Sequence, residues 1–316
     1  VLLYVQGYRL VFTVAVLEET LQDLSSLWQK YISNHQARGR FLKKASETLL
    51  FCNIFVYATL SAVMSFCLPP MYNLLNEYLH RKDDNYTHDY EQRIFFFKYP
   101  FEVNSFQRYL SVMSCEGYLL VGAGLMWVAS DVIFAQLTTH VSLQLQVLQY
   151  DMKVLIDRNV SDGILKRGFN EFVKRHQQIL SICNQLEYVF SPAILSTVFL
   201  SGINICFNVF EARETVSKKN YADASVHVFL FVLTFLQILF YCTFAEGLTQ
   251  ETITIGNTIY NSNWPRNHPV LAVYLKMIIV KSQSPFYCTA YGFFPIGHAR
   301  LSSILNAAYS YYMMLQ

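Results

Sequence analysis

The amino-acid sequence predicts an all-α membrane protein, a bundle of membrane-spanning helices extended by a cytoplasmic helical layer. Three observations predict it. Of 316 residues, 53% are hydrophobic and only 15% charged, against about 25% charged in an average soluble domain. The mean hydropathy is +0.25. The apolar residues are also gathered into runs: 48–76, 188–210 and 224–245 contain no Asp, Glu, Lys or Arg, and each is as long as the roughly 20 residues a helix needs to cross the hydrocarbon core. Such a composition argues against a water-soluble enzyme.

Taken in order, residues 1–17 are apolar apart from Gln6 and Arg9 and read as a first span turned partly towards other protein. Lys30, Arg38, Arg40, Lys43 and Lys44 follow, with no acid between Asp23 and Glu47. Basic connections stay on the cytoplasmic side, so this one is cytoplasmic. The second span is 48–76. Residues 77–102 mix both signs of charge and read as extracellular. The third span lies in 108–150, where Glu116 and Asp131 are the internal acids, and 151–181 returns to the cytoplasm with six basic residues against four acids. Spans four and five are 188–210 and 224–245. The last lies in 282–316, where Arg300 is the one charge.

These six crossings put Val1 and Gln316 outside the cell. Residues 1–17 have neither the basic flank nor the small-residue cleavage site of a signal peptide. The sequence therefore leads us to expect a further helix and a cytoplasmic amino terminus before Val1, giving seven crossings of inverted topology. Two helical stretches extend the spans into the cytoplasm. Leu143, Leu145, Val147 and Leu148 run on into Met152, Val154, Leu155 and Ile156, and beyond Gly163 stand Phe169, Phe172, Val173, Ile179 and Leu180.

Chemical motifs are few. With 24 Lys plus Arg against 22 Asp plus Glu, the charge is too even for a nucleic-acid surface. Seven cysteines stand at least fifteen residues apart, which gives neither zinc spacing nor a redox pair, so they read as buried single thiols. No nucleotide, hydrolase or metalloprotease motif is present, and neither a catalytic residue nor a metal or other cofactor is expected. An ionisable group inside a span is a functional candidate by default, which singles out Glu116 and Asp131; the alternatives are a polar neighbour for Glu116 and a place near the cytoplasmic interface for Asp131. Asn85-Tyr86-Thr87 and Asn159-Val160-Ser161 are glycosylation sequons, and on this topology only Asn85 is extracellular. In the last span Ser302, Ser303, Asn306 and Ser310 share one helical face, which serves either to glue helices together or to wall a water-filled pore.

The carboxyl-terminal third is more specific. Ile259-Tyr260 ahead of Trp264, then Lys281-Ser282-Gln283-Ser284-Pro285, then Ala308-Tyr309-Ser310-Tyr311-Tyr312-Met313-Met314-Leu315 closely resemble the signature of insect odorant receptors. His176-Gln177 ahead of Leu186-Glu187, and Phe97-Lys98-Tyr99-Pro100-Phe101, resemble the same family. The resemblance implies a plasma-membrane, odorant-gated cation channel of four subunits, each of seven helices with an intracellular amino terminus, whose last helix lines a central pore. It further implies a volatile odorant as ligand, permeating cations, membrane lipid as surroundings and a co-receptor subunit as partner. The co-receptor itself carries a far longer insertion than the 151–181 connection, so the chain resembles a ligand-tuned subunit. Gustatory receptors share a related last helix but fit 281–285 and 309–312 less well. A G-protein-coupled receptor would need its amino terminus outside and a D-R-Y-like triplet, and neither is evident.

Carried onto this sequence, the resemblance makes 1–316 a single transmembrane unit. Residues 1–150 hold the first three visible spans and the outer ligand-binding part, 151–285 two further spans and cytoplasmic anchor helices, and 286–316 the pore-lining helix. The odorant pocket would be lined by Tyr4, Tyr8, Ala62, Phe66, Met113, Gly117, Val226 and Phe229. Ser303, Asn306 and Ser310 would line the pore, and Met314 would stand where the family has a hydrophobic gate.

Overall fold

The structure, a computed structural model, describes residues 12–32, 38–80, 90, 92–95, 97–157, 162–262 and 272–314. Four helices dominate it, and each is long and apolar enough to cross a membrane. They are α2 (Arg38–Leu79), α3 (Phe106–Asp157), α4 (Asp162–Ser217) and α5 (Tyr221–Tyr260). Shorter helices flank them: α1 (Val14–Leu27), which runs into a π-helical turn at Trp28–Ile32, α6 (Ala272–Ser282) and α7 (His298–Met314). The chain is a multi-pass membrane protein.

The charge-free runs 48–76, 188–210 and 224–245 fall inside α2, α4 and α5, and the run holding Glu116 and Asp131 falls inside α3. All four helices exceed what a membrane requires. At about 1.5 Å per residue, the 52 residues of α3 and the 56 of α4 extend about 78 and 84 Å, against a hydrocarbon core of about 30 Å. The excess forms a packed helical layer beyond the charge-free runs, as the sequence led us to expect. It is packed by the lower halves of α3, α4 and α5 with α1 and α6, and its core includes Leu24, Leu148, Phe172, Ile179, Leu248 and Leu275.

Prolines punctuate two of these helices without ending them: Pro69 and Pro70 in α2, and Pro192 in α4. A membrane helix tolerates proline because neighbouring groups re-satisfy the freed carbonyls. Between α4 and α5 the chain reverses within Lys218–Asn220, where Lys219 takes a φ of 60°. Asn220 then caps α5 by accepting from the Asp223 backbone N–H at 3.4 Å.

Two details sharpen the sequence reading. The last helix, expected within 282–316, is α7 at His298–Met314, and a tight hairpin precedes it. Thr289 and Pro295 bridge across that hairpin, the Phe293 N–H donates to the Ala290 carbonyl at 3.0 Å, and the Ile296 N–H donates to Cys288 at 2.8 Å. Its tip is Tyr291-Gly292, with φ of 52° and 77°, the paired positive values of a type I′ turn. Second, α6 is a separate element that periodicity did not isolate. Of the expected first span 1–17, residues 1–11 lie outside the described residues, as do both sequons.

Candidate functional site

The outer end of α3 is built around Glu116. This carboxylate is buried and receives the backbone N–H of Ile94 at 3.0 Å, that of Phe95 at 3.1 Å and the Tyr99 hydroxyl at 2.7 Å. The connection between α2 and α3 is thereby folded back over the helix bundle. Tyr109 pins the start of the same segment, donating its hydroxyl to the Gln92 carbonyl at 2.7 Å and accepting from Asn73 on α2 at 3.1 Å. The bond to Glu116, and then burial, pushes the Tyr99 phenol up to about 12.

Ala62 and Met113, two of the expected pocket residues, are buried. Gly117 faces the folded-back segment, its missing Cβ pointing to within 3.8 Å of Ile94 Cδ1. Phe66, Val226 and Phe229 are 43%, 43% and 38% exposed, on the surfaces of α2 and α5. Tyr4 and Tyr8 lie outside the described residues. The most prominent cavities among the described residues are lined by none of the six placed side chains.

One pair at this level was missed by sequence reasoning. His227 Nδ1 lies 3.2 Å from Asn208 Oδ1, across α4 and α5 and next in sequence to Val226. Asn208 spends its amide N–H on the Asn204 carbonyl at 2.8 Å. Its oxygen is therefore the acceptor and Nδ1 of His227 the donor. The available signal was weak, because Asn208 and His227 are each one of several polar side chains in their uncharged runs.

Deeper in the bundle, Asp131 is fully buried. It receives the Tyr241 hydroxyl at 2.6 Å and the Gln237 amide at 2.9 Å, both from α5. Thr139, which meets Thr48 at 3.3 Å at the inner edge of the charge-free run of α2, stands eight residues or about 12 Å further along α3. Asp131 thus lies that far inside the stretch of α3 that packs against the charge-free run of α2. Its role there is to tie α3 to α5, since a buried carboxylate needs every hydrogen bond it can gather.

The face of α7 divides cleanly. Ile304 and Ala308 are buried with Leu301, Leu305 and Tyr312 half-buried beside them, whereas Ser303, Asn306, Ser310 and Met314 are all exposed. Met314 is 80% exposed. Ser303 and Ser310 return their hydroxyls to the Ala299 and Asn306 carbonyls, at 3.1 and 2.9 Å. Glu187 of α4 holds the base of α7: it accepts both the Thr289 N–H, at 3.0 Å, and the Thr289 hydroxyl. Burial raises the Glu187 carboxyl above its usual range, and the bonds from Thr289 oppose the rise. At Gly297, just before the helix, a Cβ would meet Glu246 Oε2 at 2.3 Å, so any larger residue there would make that carboxylate move aside.

In the helical layer beyond the charge-free runs Arg175 is buried and joins three elements. It donates to Asp151 at 3.0 Å and to Gln144 at 3.1 Å, and its guanidinium stacks 3.8 Å over the Tyr31 ring. Among the described residues no three His, Cys, Asp or Glu side chains are grouped to hold a metal ion.

Comparison with known proteins adds family. A family model described as 7tm Odorant receptor matches residues 6–309. Odorant receptor 94a of Drosophila melanogaster is 24% identical over 220 residues, covering 68% of this chain and 56% of the relative. Odorant receptor 45a of the same organism is 25% identical, covering 62% and 50%. The chain spans about half the length of the relatives it matches. The solved olfactory receptor OR5 of Machilis hrabei, in complex with eugenol, superimposes with a TM-score of 0.74 at 15% identity, covering 99% of this chain and 78% of the other. That likeness shows the fold.

Proposed function

The chain belongs to the seven-transmembrane odorant receptors of insects, and from that premise we propose that it is the odorant-binding subunit of a ligand-gated, non-selective cation channel in the plasma membrane. Members of this family are receptors and not enzymes. The observation that carries the channel reading is α7, where one face is buried against the bundle and the opposite face presents Ser303, Asn306, Ser310 and Met314. An unpartnered polar face on a membrane helix is costly in lipid. Copies of α7 around a common axis would turn that face to water. In this arrangement the basic amino-terminal ends of α2 and α4 face the cytoplasm, the amino terminus of the complete protein is cytoplasmic and the carboxyl terminus is extracellular.

The ligand would be a small volatile molecule held in the outer half of the bundle, near Ala62, Met113 and Gly117 under the segment that Glu116 anchors. Burying ~250 Å² of ligand is worth about 6 kcal/mol. Less the cost of association, this sets micromolar affinity, about −8 kcal/mol, as the ceiling even with one good hydrogen bond. Such a ligand opens a gate only if the closed and open states are nearly balanced.

The decisive experiment is whole-cell recording of the full-length protein with and without a co-receptor subunit. Odour-evoked cation current is expected only with it, and strong current from this chain alone would remove the hetero-oligomer from the reading. In the same cells Gly117→Val and Phe229→Ala should reorder the ranking of active odorants. An unchanged ranking in both would move the pocket elsewhere.

A further inference from the structure

A groove of about 410 Å³ runs between α2 and α5 in the half of the bundle nearest the basic connection. Its walls are Phe51, Ile54, Phe55 and Ala58 on one side and Leu239 and Phe240 on the other. The floor is closed by Phe55 stacked on Phe240, with centroids 4.9 Å apart. The outward walls are open: Phe51 is 63% and Ile54 59% exposed. Polar lining is concentrated at one end, where Lys44, Glu47 and Thr48 form the mouth.

Two features identify an occupant. The first is length. Thr48 to Ala58 is ten residues, about 15 Å of helix, which is half of a hydrocarbon core of about 30 Å. The groove thus spans one leaflet and accepts one acyl chain lying along the membrane normal. The second is charge. Five basic residues, Lys30, Arg38, Arg40, Lys43 and Lys44, precede the mouth, and Glu47 is the first acid after Asp23. A cluster of four or more basic residues just cytoplasmic of a membrane helix attracts anionic headgroups.

Lys30 pairs with Glu171 at 3.8 Å, but at the mouth Lys43 and Lys44 keep donors to spare beside their acids. Lys44 lies 3.5 Å from Glu251, but Glu251 is already served by the amides of Gln146 and Gln149, and the ammonium has three donors to share. Lys43 meets Glu47 at 4.0 Å with both side chains well exposed, an arrangement worth little in water.

We propose that this groove is a binding site for an anionic phospholipid of the cytoplasmic leaflet, one acyl chain lying between α2 and α5 and the phosphate held at Lys43 and Lys44. The lipid would complete the seam between two helices whose facing side chains leave a trough. The inference rests on the basic end of α2 being cytoplasmic and not on channel activity. Its test needs no current, so its failure would leave the receptor reading intact.

The full-length protein is extracted from its membranes, washed in detergent, denatured, and its retained phospholipid measured by mass spectrometry. A second, native portion is re-equilibrated with vesicles of phosphatidylcholine containing phosphatidylserine before the same measurement. Retained lipid enriched in the anionic species over the bulk is expected. The double variant Lys43→Gln, Lys44→Gln should keep a lipid but lose about five-fold of that enrichment for each lysine. Ala58→Phe, which fills the trough, should lower total retained lipid where Ala58→Ser does not. The proposal is overturned if the parent shows no anionic enrichment, if the lysine variant keeps the full enrichment, if Ala58→Phe retains as much lipid as the parent, or if cross-linking finds a second copy of the chain in the groove. Should Ala58→Phe fail to fold, the lysine variant, altered only at the surface, decides the question alone.

Discussion

Two carboxylates, the buried Glu116 and the half-buried Glu187, act alike on different helices: each gathers backbone and hydroxyl donors of a connecting segment. Glu187→Ala would strand the Thr289 N–H and hydroxyl, and leaving a buried donor unpaired costs about 1–3 kcal/mol. A lower melting temperature and reduced surface expression are expected, with Glu187→Gln recovering most of both because its amide oxygen still accepts. His176 supplies a pH test. Burial, with Lys281 adding repulsion, lowers its pKa below 6.5, and it stands in a recess with Lys174 and Lys281. As pH falls through 6.5 the unfolded chain takes up the proton first, so acidification removes stability. Thermal unfolding at pH 7.5 and 5.5 should show a larger loss for the parent than for His176→Gln, and equal losses would refute the assignment. At this scale the sequence was half legible. An isolated acid in an apolar run flags Glu116, but its partners lie 17 to 22 residues upstream, in a connection that periodicity does not describe. Asp131 carried the same flag, and its depth emerged only once α5 was seen to supply Tyr241 and Gln237.

Among the elements, α7 was legible because period 3.6 alone sorts Ile304 and Ala308 from Ser303, Asn306 and Ser310. The hairpin before it was not, since Tyr291-Gly292 is a poor cue for a turn that usually carries Asn-Gly or Asp-Gly. The same face sets a prediction about closure. Met314 prolongs the polar face by one turn, and a thioether ring could close a pore by dewetting. Met314→Ser should leave current flowing without odorant. Met314→Cys and Ser310→Cys should both become sensitive to an externally applied methanethiosulfonate reagent. A surface-expressed channel indifferent to all three changes would show that this face does not line the pore. The helix α6 escaped notice for another reason: its eleven residues are too few to establish a period, and it earns its place by contact. At Gly256 of α5 a Cβ would stand 1.8 Å from Ser282 Oγ at the end of α6, a closeness only the three-dimensional arrangement reveals.

For the molecule as a whole, the spans followed from where charge is missing, and the proposed orientation from where it gathers. Glycosidase treatment checks that orientation: a mobility shift that disappears in Asn85→Gln and persists in Asn159→Gln is expected, and the reverse pattern would invert the topology. The length of α4 has its own mechanical meaning. This 56-residue helix holds Pro192 close to its middle, with about 45 Å of helix on one side and about 37 Å on the other. A tilt of about 3° about that point would carry each tip sideways by about 2 Å, as with a seesaw. Glu187 sits five residues from the pivot and would hardly travel. Arg175, seventeen residues away, would sweep about 1 Å across Tyr31 and Asp151. A push on the outer arm would thus be felt in the cytoplasmic layer while the grip on Thr289 stayed nearly still, so the base of α7 could serve as the bearing about which the rest of the molecule turns.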